Sequence, residues 1–340
     1  MKVAVVILTW NGVDMLRKFL PTVLSCSKGE GIEVIVADNA SSDDTIPVMQ
    51  KEFSTVRVIS LDKNYGFAEG YNRALAQIDA EYAVLLNSDV DVTPNWLQPL
   101  LSYMDAHPEV AACQPKLRSW RNKKSFEYAG AAGGFIDRYG YPFCRGRVFG
   151  TVEEDLGQYD SICSIFWATG AALFIRLNDY KQVGGLDSRF FAHMEEIDLC
   201  WRLRSRNRGI VCIPESVVYH VGAATLKESP RKTFLNFRNN LLMLYKNLPE
   251  NDLKPVMFVR CLLDYVAAFR FLLRFDFGHF SAVLKARREF QKLKIHFQSD
   301  RDENMRTTVL KCIPERSTLF LIWEYYMKGK KTYQYLKNNR

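Results

Sequence analysis

Apolar positions come first in short continuous runs, each closed by polar groups. Val3-Ala4-Val5-Val6-Ile7-Leu8, the stretch Ile32 to Ala37, Val56 to Ile59, and Tyr82 with Val84-Leu85-Leu86 read as buried strands. Between them the apolar period lengthens to that of a helix. Met15, Leu16, Phe19, Leu20, Val23 and Leu24 share one face, Ser42 or Asp43 caps a helix that runs to Phe53, and another runs to Ile78. Strands alternating with helices predict an α/β chain with a mostly parallel central sheet flanked by helices and right-handed crossovers. Strands apolar on both faces belong to the middle of such a sheet.

Further along, the stretch Trp167 to Ile175 reads as a strand. Val211 to Pro214 and Val217 to His220 read as two short ones, and a helix opens near Met194 or Glu195. Residues 120–165 have no period and are rich in Gly, aromatics and Arg, which predicts an irregular hairpin or loop insertion. Helical spacing returns over 233–247 and over 253–275. The second of these is long and apolar, but Arg260, Asp264, Arg270 and Arg274 lie within one arc of about 120°. That arc argues against a membrane span. It leaves a helix in the membrane interface and a helix packed on its own domain both open. The expected organisation is one α/β domain over residues 1–247 and a basic amphipathic helical extension over 248–340.

Composition changes little for the first part and much for the second. At 48% hydrophobic and 25% charged residues the chain has an ordinary globular balance. The net charge of +8 is uneven, with 18 Lys and Arg against 9 Asp and Glu in residues 251–340. That points to an anionic partner for the C-terminal segment, and its Phe and Leu content suits a membrane surface better than nucleic acid. Eight cysteines include no Cys-x-x-Cys, and the N-terminus has no basic region before an apolar run. Reduced thiols and a cytoplasmic location are expected.

The candidate chemistry lies at the strand ends, where open α/β sheets bind ligands. Thr9, Asp38, Asn64 and Asp89 stand there. Asp38 suits either a nucleoside contact or an Asx-turn. Asp89 and Asp91 suit either a cation or a cap for a helix starting near Thr93-Pro94. Neither a Gly-x-Gly-x-x-Gly after the first strand nor a Walker loop occurs, which excludes the common dinucleotide oxidoreductases and P-loop NTPases. Glu195, Glu196 and Asp198 fall in one first helical turn, where acids suit the helix dipole but where one could also serve as a general base.

Six stretches in order carry a family resemblance. They are Val6-Ile7-Leu8-Thr9-Trp10-Asn11-Gly12, Val36 to Asp43, Asn64-Tyr65-Gly66-Phe67-Ala68-Glu69-Gly70-Tyr71-Asn72, Leu86-Asn87-Ser88-Asp89, Phe190 to Cys200, and His220. Residues 1–247 resemble the family 2 glycosyltransferases of the GT-A fold, in particular a rhamnosyltransferase-like branch of bacterial surface polysaccharide synthesis. The resemblance implies a nucleoside-diphosphate sugar donor and a glycan or lipid-linked glycan acceptor. It implies that Thr9, Asn11 and Asp38 hold the nucleoside, that Asn64, Gly66 and Phe67 line the same pocket, and that Asn87-Ser88-Asp89 stands where the family has Asp-x-Asp. Asp89 and His220 would then ligate Mg²⁺ or Mn²⁺. Glu196, or its neighbour Glu195, would be the catalytic base, where the family has Glu-Asp. It further implies inversion in one displacement and a place at the inner face of the cell membrane. Two other readings stay open: a catalytically silent carbohydrate- or membrane-binding subunit of the same fold, and a sugar-1-phosphate nucleotidyltransferase. The Gly-rich basic loop of the latter is missing after the first strand.

Overall fold

The computed structural model describes residues 1–222 and 229–337. The expected alternation is present: β1 (Val3–Thr9), α1 (Val13–Cys26), β2 (Ile32–Asp38), α2 (Thr45–Glu52), β3 (Arg57–Ser60), α3 (Gly66–Leu75) and β4 (Tyr82–Asn87). A short β5 (Val90–Val92) precedes α4 (Leu97–Ala106) and β6 (Val110–Ser119). After residue 130 come β7 (Gly134–Ile136), β8 (Pro142–Cys144), β9 (Arg147–Val148), β10 (Thr151–Val152), β11 (Cys163–Ser164), β12 (Ala172–Arg176), α5 (Leu177–Gln182), α6 (Glu195–Ser205) and β13 (Gly209–His220). The chain ends in helices α7 (Pro230–Asn247), α8 (Glu250–Leu273), α9 (Phe277–Leu293), α10 (Gln298–Thr307) and α11 (Tyr333–Lys337).

The main sheet runs β11-β13-β6-β12-β4-β1-β2-β3, with β5 added beside β13. The pairs β3–β2, β2–β1, β1–β4 and β6–β13 are parallel, and β12 lies antiparallel between β4 and β6. The centre is apolar on both faces: Val3 to Val6 and Tyr82 to Leu86 have no exposed surface. Helices therefore cover both sides, as the GT-A type of Rossmann-like fold requires. Register sets the functional edge, with Thr9 opposite Asp38 and Asn87 opposite Leu8.

Three expectations need correction. The two short strands over 211–220 are one strand, β13, carrying a register shift between Ile213 and Val217. Pro214 lacks the N–H that regular pairing needs, so the strand bulges there instead of ending. The strand expected over 167–175 begins only at Ala172, because Thr169 and Gly170 form a turn in which Ala171 N donates to Thr169 Oγ1. Residues 120–165 are irregular for most of their length, as expected, but hold more than one hairpin: the short strands β7 to β10 pair as a small antiparallel sheet.

The C-terminal helices share a core with the sheet. Leu248, Val256, Phe290, Ile313, Leu321 and Tyr333 belong to the same buried cluster as Leu85 and Leu173. The segment after α10 returns across the sheet, where Val309 N donates to Ser205 O and the Glu315 carboxylate accepts from Arg204 and from Ser164 Oγ.

Candidate active site

The parallel strands β1, β2 and β4 deliver Thr9, Asp38 and Asn87 to the same edge. Thr9 ends β1 buried, with its Oγ1 lacking a hydrogen-bond partner. Gly12 allows that placement, since a Cβ on it would stand 2.3 Å from Thr9 Oγ1 and 3.9 Å from Ser88 Oγ. Thr9 and Ser88 therefore meet across the glycine. Asp38 is buried at the end of β2, and its carboxylate accepts the backbone N–H of Ser41 at 3.1 Å. Of the two readings of Asp38, the Asx-turn is the one with a partner in the chain.

Several expected pocket residues use their polar groups on the chain itself. Asn11 sits at φ 50°, and its Oδ1 accepts Ser42 N at 2.7 Å, tying the loop after β1 to the loop after β2. Asn64 Oδ1 accepts Gly66 N at 2.8 Å. Between them lies Asn39, which the sequence analysis did not single out. It is buried, donates from Nδ2 to Asn64 Oδ1 and Gly66 O, and accepts Tyr65 N at Oδ1. One amide thus fixes the turn that opens α3. Gly66 needs its φ of 74°, and a side chain there would strike the Phe191 ring at 2.8 Å. Phe67 follows, its N–H donating to Phe191 O, its ring against Gly170.

The loop after β4 holds the first charged centre. Asp89 Oδ1 lies 3.1 Å from His220 Nε2, and Asn87 Nδ2 lies 3.4 Å from the same nitrogen. On the other ring nitrogen, Nδ1, Glu127 Oε1 stands at 3.3 Å. Asp89, His220 and Glu127 are all buried. Burial works against an imidazolium here, but the hydrogen bonds and charges of Asp89 and Glu127 outweigh it and raise His220 to about 10. Burial likewise pushes Asp89 up, and the hydrogen bond and charge of His220 more than offset it, holding the acid below the usual carboxylate range. Asp91 takes no part: it faces Tyr219 across the β5–β13 pairing, and Asp89 caps no helix.

The donor set fits a hard divalent cation once His220 gives up the proton it directs at Asp89, since only the neutral imidazole can ligate. Two cis ligands of an octahedral ion at about 2.1 Å stand about 3 Å apart, close to the separation of Asp89 Oδ1 and His220 Nε2. Glu127 lies on the far ring nitrogen and would orient the imidazole rather than bind the ion. Among the described residues no group of three or more His, Cys, Asp and Glu side chains is arranged to hold a metal. Among the described residues no third such side chain joins this pair, which leaves most coordination positions to other ligands. Glu127 escaped the sequence analysis because it lies in the aperiodic insertion, beside Ala129, with no motif around it.

The second charged centre opens α6. Phe191, His193 and Met194 all have positive φ, at 65°, 71° and 74°. Ala192 N bonds Phe190 O at 2.8 Å, closing a tight three-residue turn on Phe191. Non-glycine residues in such conformations cost about 1–3 kcal/mol each and persist only where neighbours enforce them. Asn239 on α7 is that neighbour. Fully buried, its Nδ2 lies 2.8–2.9 Å from the carbonyls of Phe190, Ala192 and His193. The first turn of α6 is anchored below by Asp198, which accepts from Arg202, Lys246 and Asn247 in a buried cluster.

So held, Glu195 is buried and Glu196 is partly open. Glu195 Oε2 and Glu196 Oε2 have no hydrogen-bond partner. Burial, then the charge of Glu196, raises Glu195 well above the usual range, and burial raises Glu196 as well. The pair holds a proton more readily than two free glutamates would. Glu196 is joined to the first centre through one turn: Gly170 would place a Cβ 3.7 Å from Glu196 Cβ, and Ala171 O accepts Asn87 N at 3.0 Å.

The chain is similar to known glycosyltransferases in sequence and in fold. Residues 4–149 match the family described as "Glycosyl transferase family 2". The N-acetylglucosaminyl-diphospho-decaprenol L-rhamnosyltransferase of Mycobacterium tuberculosis is 28% identical over 245 residues, covering 66% of this chain and 78% of that protein. Among solved structures, S. aureus TarS 1–349 in complex with UDP-GlcNAc aligns with a TM-score of 0.56 at 16% identity, covering 97% of this chain and 93% of that one. The mannosyltransferase PcManGT of Pyrobaculum calidifontis, in complex with GDP-Man and Mn²⁺, aligns at 0.52 and 11% identity, covering 91% and 86%.

Proposed function

From a chain whose residues 4–149 fall within glycosyl transferase family 2, we propose an inverting, metal-dependent glycosyltransferase at the inner face of a bacterial cell membrane. It moves a hexosyl or deoxyhexosyl group from a nucleoside-diphosphate donor to a lipid-linked or polysaccharide acceptor in surface glycan synthesis. The rhamnosyltransferase-like branch is favoured by the mycobacterial relative, which aligns over 66% of this chain. The observation that carries the reading is the pairing of two unlike acidic centres across one turn. Asp89 with His220 is charge-compensated, and Glu196 has a buried carboxylate oxygen, Oε2, without a hydrogen-bond partner.

Thr9, Ser88 and Asp38 border the donor end of the edge, and Asn11, Asn39 and Asn64 shape the loops around it. Asp89 and His220 would hold Mg²⁺ or Mn²⁺, and such an ion supplies charge neutralisation for a departing diphosphate. Glu196 accepts the proton of the acceptor hydroxyl as that oxygen forms its bond to the anomeric carbon. The bond from that carbon to the diphosphate breaks on the opposite side, so the configuration inverts. The buried surroundings raise the basicity of Glu196, which suits proton abstraction from an alcohol. Glu195 stays behind it, buried and holding its proton the more tightly for the charge on Glu196.

The test is a pair of variants. Glu196→Gln should abolish transfer while a thermal shift with donor nucleotide and Mn²⁺ survives. Asp89→Ala should remove the metal-dependent part of that shift. An active Glu196→Gln would remove this residue from the chemistry. A metal-dependent shift unchanged in Asp89→Ala would dismiss the cation site.

A further inference from the structure

Half of the charged arc of α8, Arg260 and Asp264, turns inward, the opposite way from an ordinary surface helix, while Arg270 and Arg274 are exposed. Arg260 and Asp264 are buried, and Asp264 is bonded by Arg260 on its own helix and by Arg287 of α9 at 2.6 Å. Arg260 also reaches Tyr139 O and Asn240 Oδ1. The polar groups thus lock α8 to the body of the protein, and the opposite face turns outward. That face is Phe258, Leu262, Tyr265, Val266, Phe269 and Leu273, spaced at three or four residues. Phe275 and Phe277 continue it past the helix end, and across this set exposure ranges from 51% at Tyr265 to 80% at Phe275. Tyr326 and Met327, also exposed, lie alongside, with the Arg270 guanidinium 5.7 Å from the Tyr326 ring. A stripe this long on a water-facing helix marks an interaction surface.

Basic groups flank it. Arg270 on α8, Arg274 just past its end, and Lys285, Arg288 and Lys292 on α9 are exposed, and among the described residues none of them forms a salt bridge. No helix among the described residues is long and apolar enough to cross a membrane. Two copies meeting through this face about a two-fold axis would bring the same unpaired cations together, which disfavours a dimer. An aromatic and aliphatic stripe bordered by unpaired Lys and Arg instead complements an anionic bilayer surface, apolar side in the acyl boundary and cations among the headgroups.

We infer that the outer face of the α8–α9 hairpin is a docking surface for an anionic phospholipid bilayer, and that it holds the active-site mouth against that bilayer. The second half follows from contacts. Phe271 stacks on His279 at 5.1 Å, and His279 Nδ1 meets Thr233 Oγ1 of α7 at 2.7 Å. Gly278 packs against Pro230, and Arg231 stands 5.5 Å from the ring of Phe191, the residue that closes over Gly66. The apolar end of α8 is therefore joined to the catalytic loop through the first turn of α7. The bilayer surface is inferred from the helix alone, whereas its delivery of a lipid-linked acceptor rests on the function proposed above.

Flotation of the full chain with phosphatidylcholine vesicles, with and without phosphatidylglycerol, tests this. The wild type should float with the phosphatidylglycerol vesicles. Leu262→Glu/Phe269→Glu should lower the floated fraction at least about tenfold. Lys285→Glu/Arg288→Glu should erase the preference for anionic vesicles. All these positions are exposed, so melting temperature and metal-dependent donor binding should stay at wild-type values, which separates failure of this inference from failure of the transferase reading. Wild-type protein left in solution with both vesicles overturns it. So does a Leu262→Glu/Phe269→Glu variant that floats as well as wild type, or a vesicle-free dimer that this double variant splits.

Discussion

Two buried acidic centres stand at the same sheet edge, and the chain treats them in opposite ways. Asp89 faces an imidazole that a second carboxylate, Glu127, holds from behind, so the charges nearly balance. Among the described residues Glu195 Oε2 and Glu196 Oε2 have no hydrogen-bond partner, and a strained turn held by amide hydrogen bonds presents the pair. The first arrangement keeps a carboxylate ionised and directed, as a ligand must be. The second makes ionisation costly, as suits a group that takes up a proton. Proximity of acids therefore says little by itself, and the identity of their partners separates the roles.

The comparison is broken most directly at Glu196. Glu196→Gln keeps the shape and removes the proton acceptor, and the expected loss in kcat is about 10³-fold. If Glu195→Gln gives the larger loss instead, the two glutamates exchange roles. A smaller effect is expected at Asn239. Asn239→Ala frees the carbonyls of Phe190, Ala192 and His193 and lets the turn relax from its positive φ values. Displacement of the α6 start should cost about 10²-fold in kcat while donor binding is preserved. Steady-state kinetics alongside donor thermal shifts read both. A variant with intact kcat would show that the turn holds its shape without Asn239.

Glu127 sharpens the other half. Glu127→Gln retains an oxygen for the Ala129 N–H but loses the charge behind His220. Affinity for Mn²⁺, measured by calorimetry or by paramagnetic resonance of the free ion, should weaken by roughly 10- to 100-fold. Unchanged affinity would make the Glu127 contact a packing detail.

Legibility in the sequence followed the same division. The parallel half of the sheet was readable because buried strands and amphipathic helices have different periods, and Asp89 was readable because it ends such a strand. His220 was found through the resemblance, since a lone histidine after a short apolar run has no local signal. Glu127 and Asn239 were not found. One lies in a segment whose strands have two or three residues, too short to show alternation. The other lies mid-helix, where a buried amide looks like any polar residue until the loop it binds is in place. The charged arc of α8 was read correctly as an arc, but periodicity cannot tell which face of a helix turns inward when ion pairs replace apolar contacts.

The smallest effect, and the one that tests the uncompensated centre most cleanly, is expected at Glu195. Its carboxyl titrates well above an ordinary glutamate, first because it is buried and then because Glu196 carries like charge. An acid whose folded pKa is raised binds its proton more tightly in the folded chain than in the unfolded one. Stability therefore falls as pH rises from the ordinary value of about 4.5 through the raised one. Glu195→Gln cannot ionise, so it should escape that fall. It should melt higher than wild type at pH 8 and lose the advantage at pH 4, in melting curves taken across that range. Glu195 still holds its proton while Glu196 ionises, so Glu196 loses no like charge in this variant. The acidic limb of the kcat/KM profile should therefore stay in place, with the plateau rate changed only a few-fold. A limb that moves to lower pH would mean that Glu195 carries charge when Glu196 titrates, and that like charge as well as burial raises Glu196.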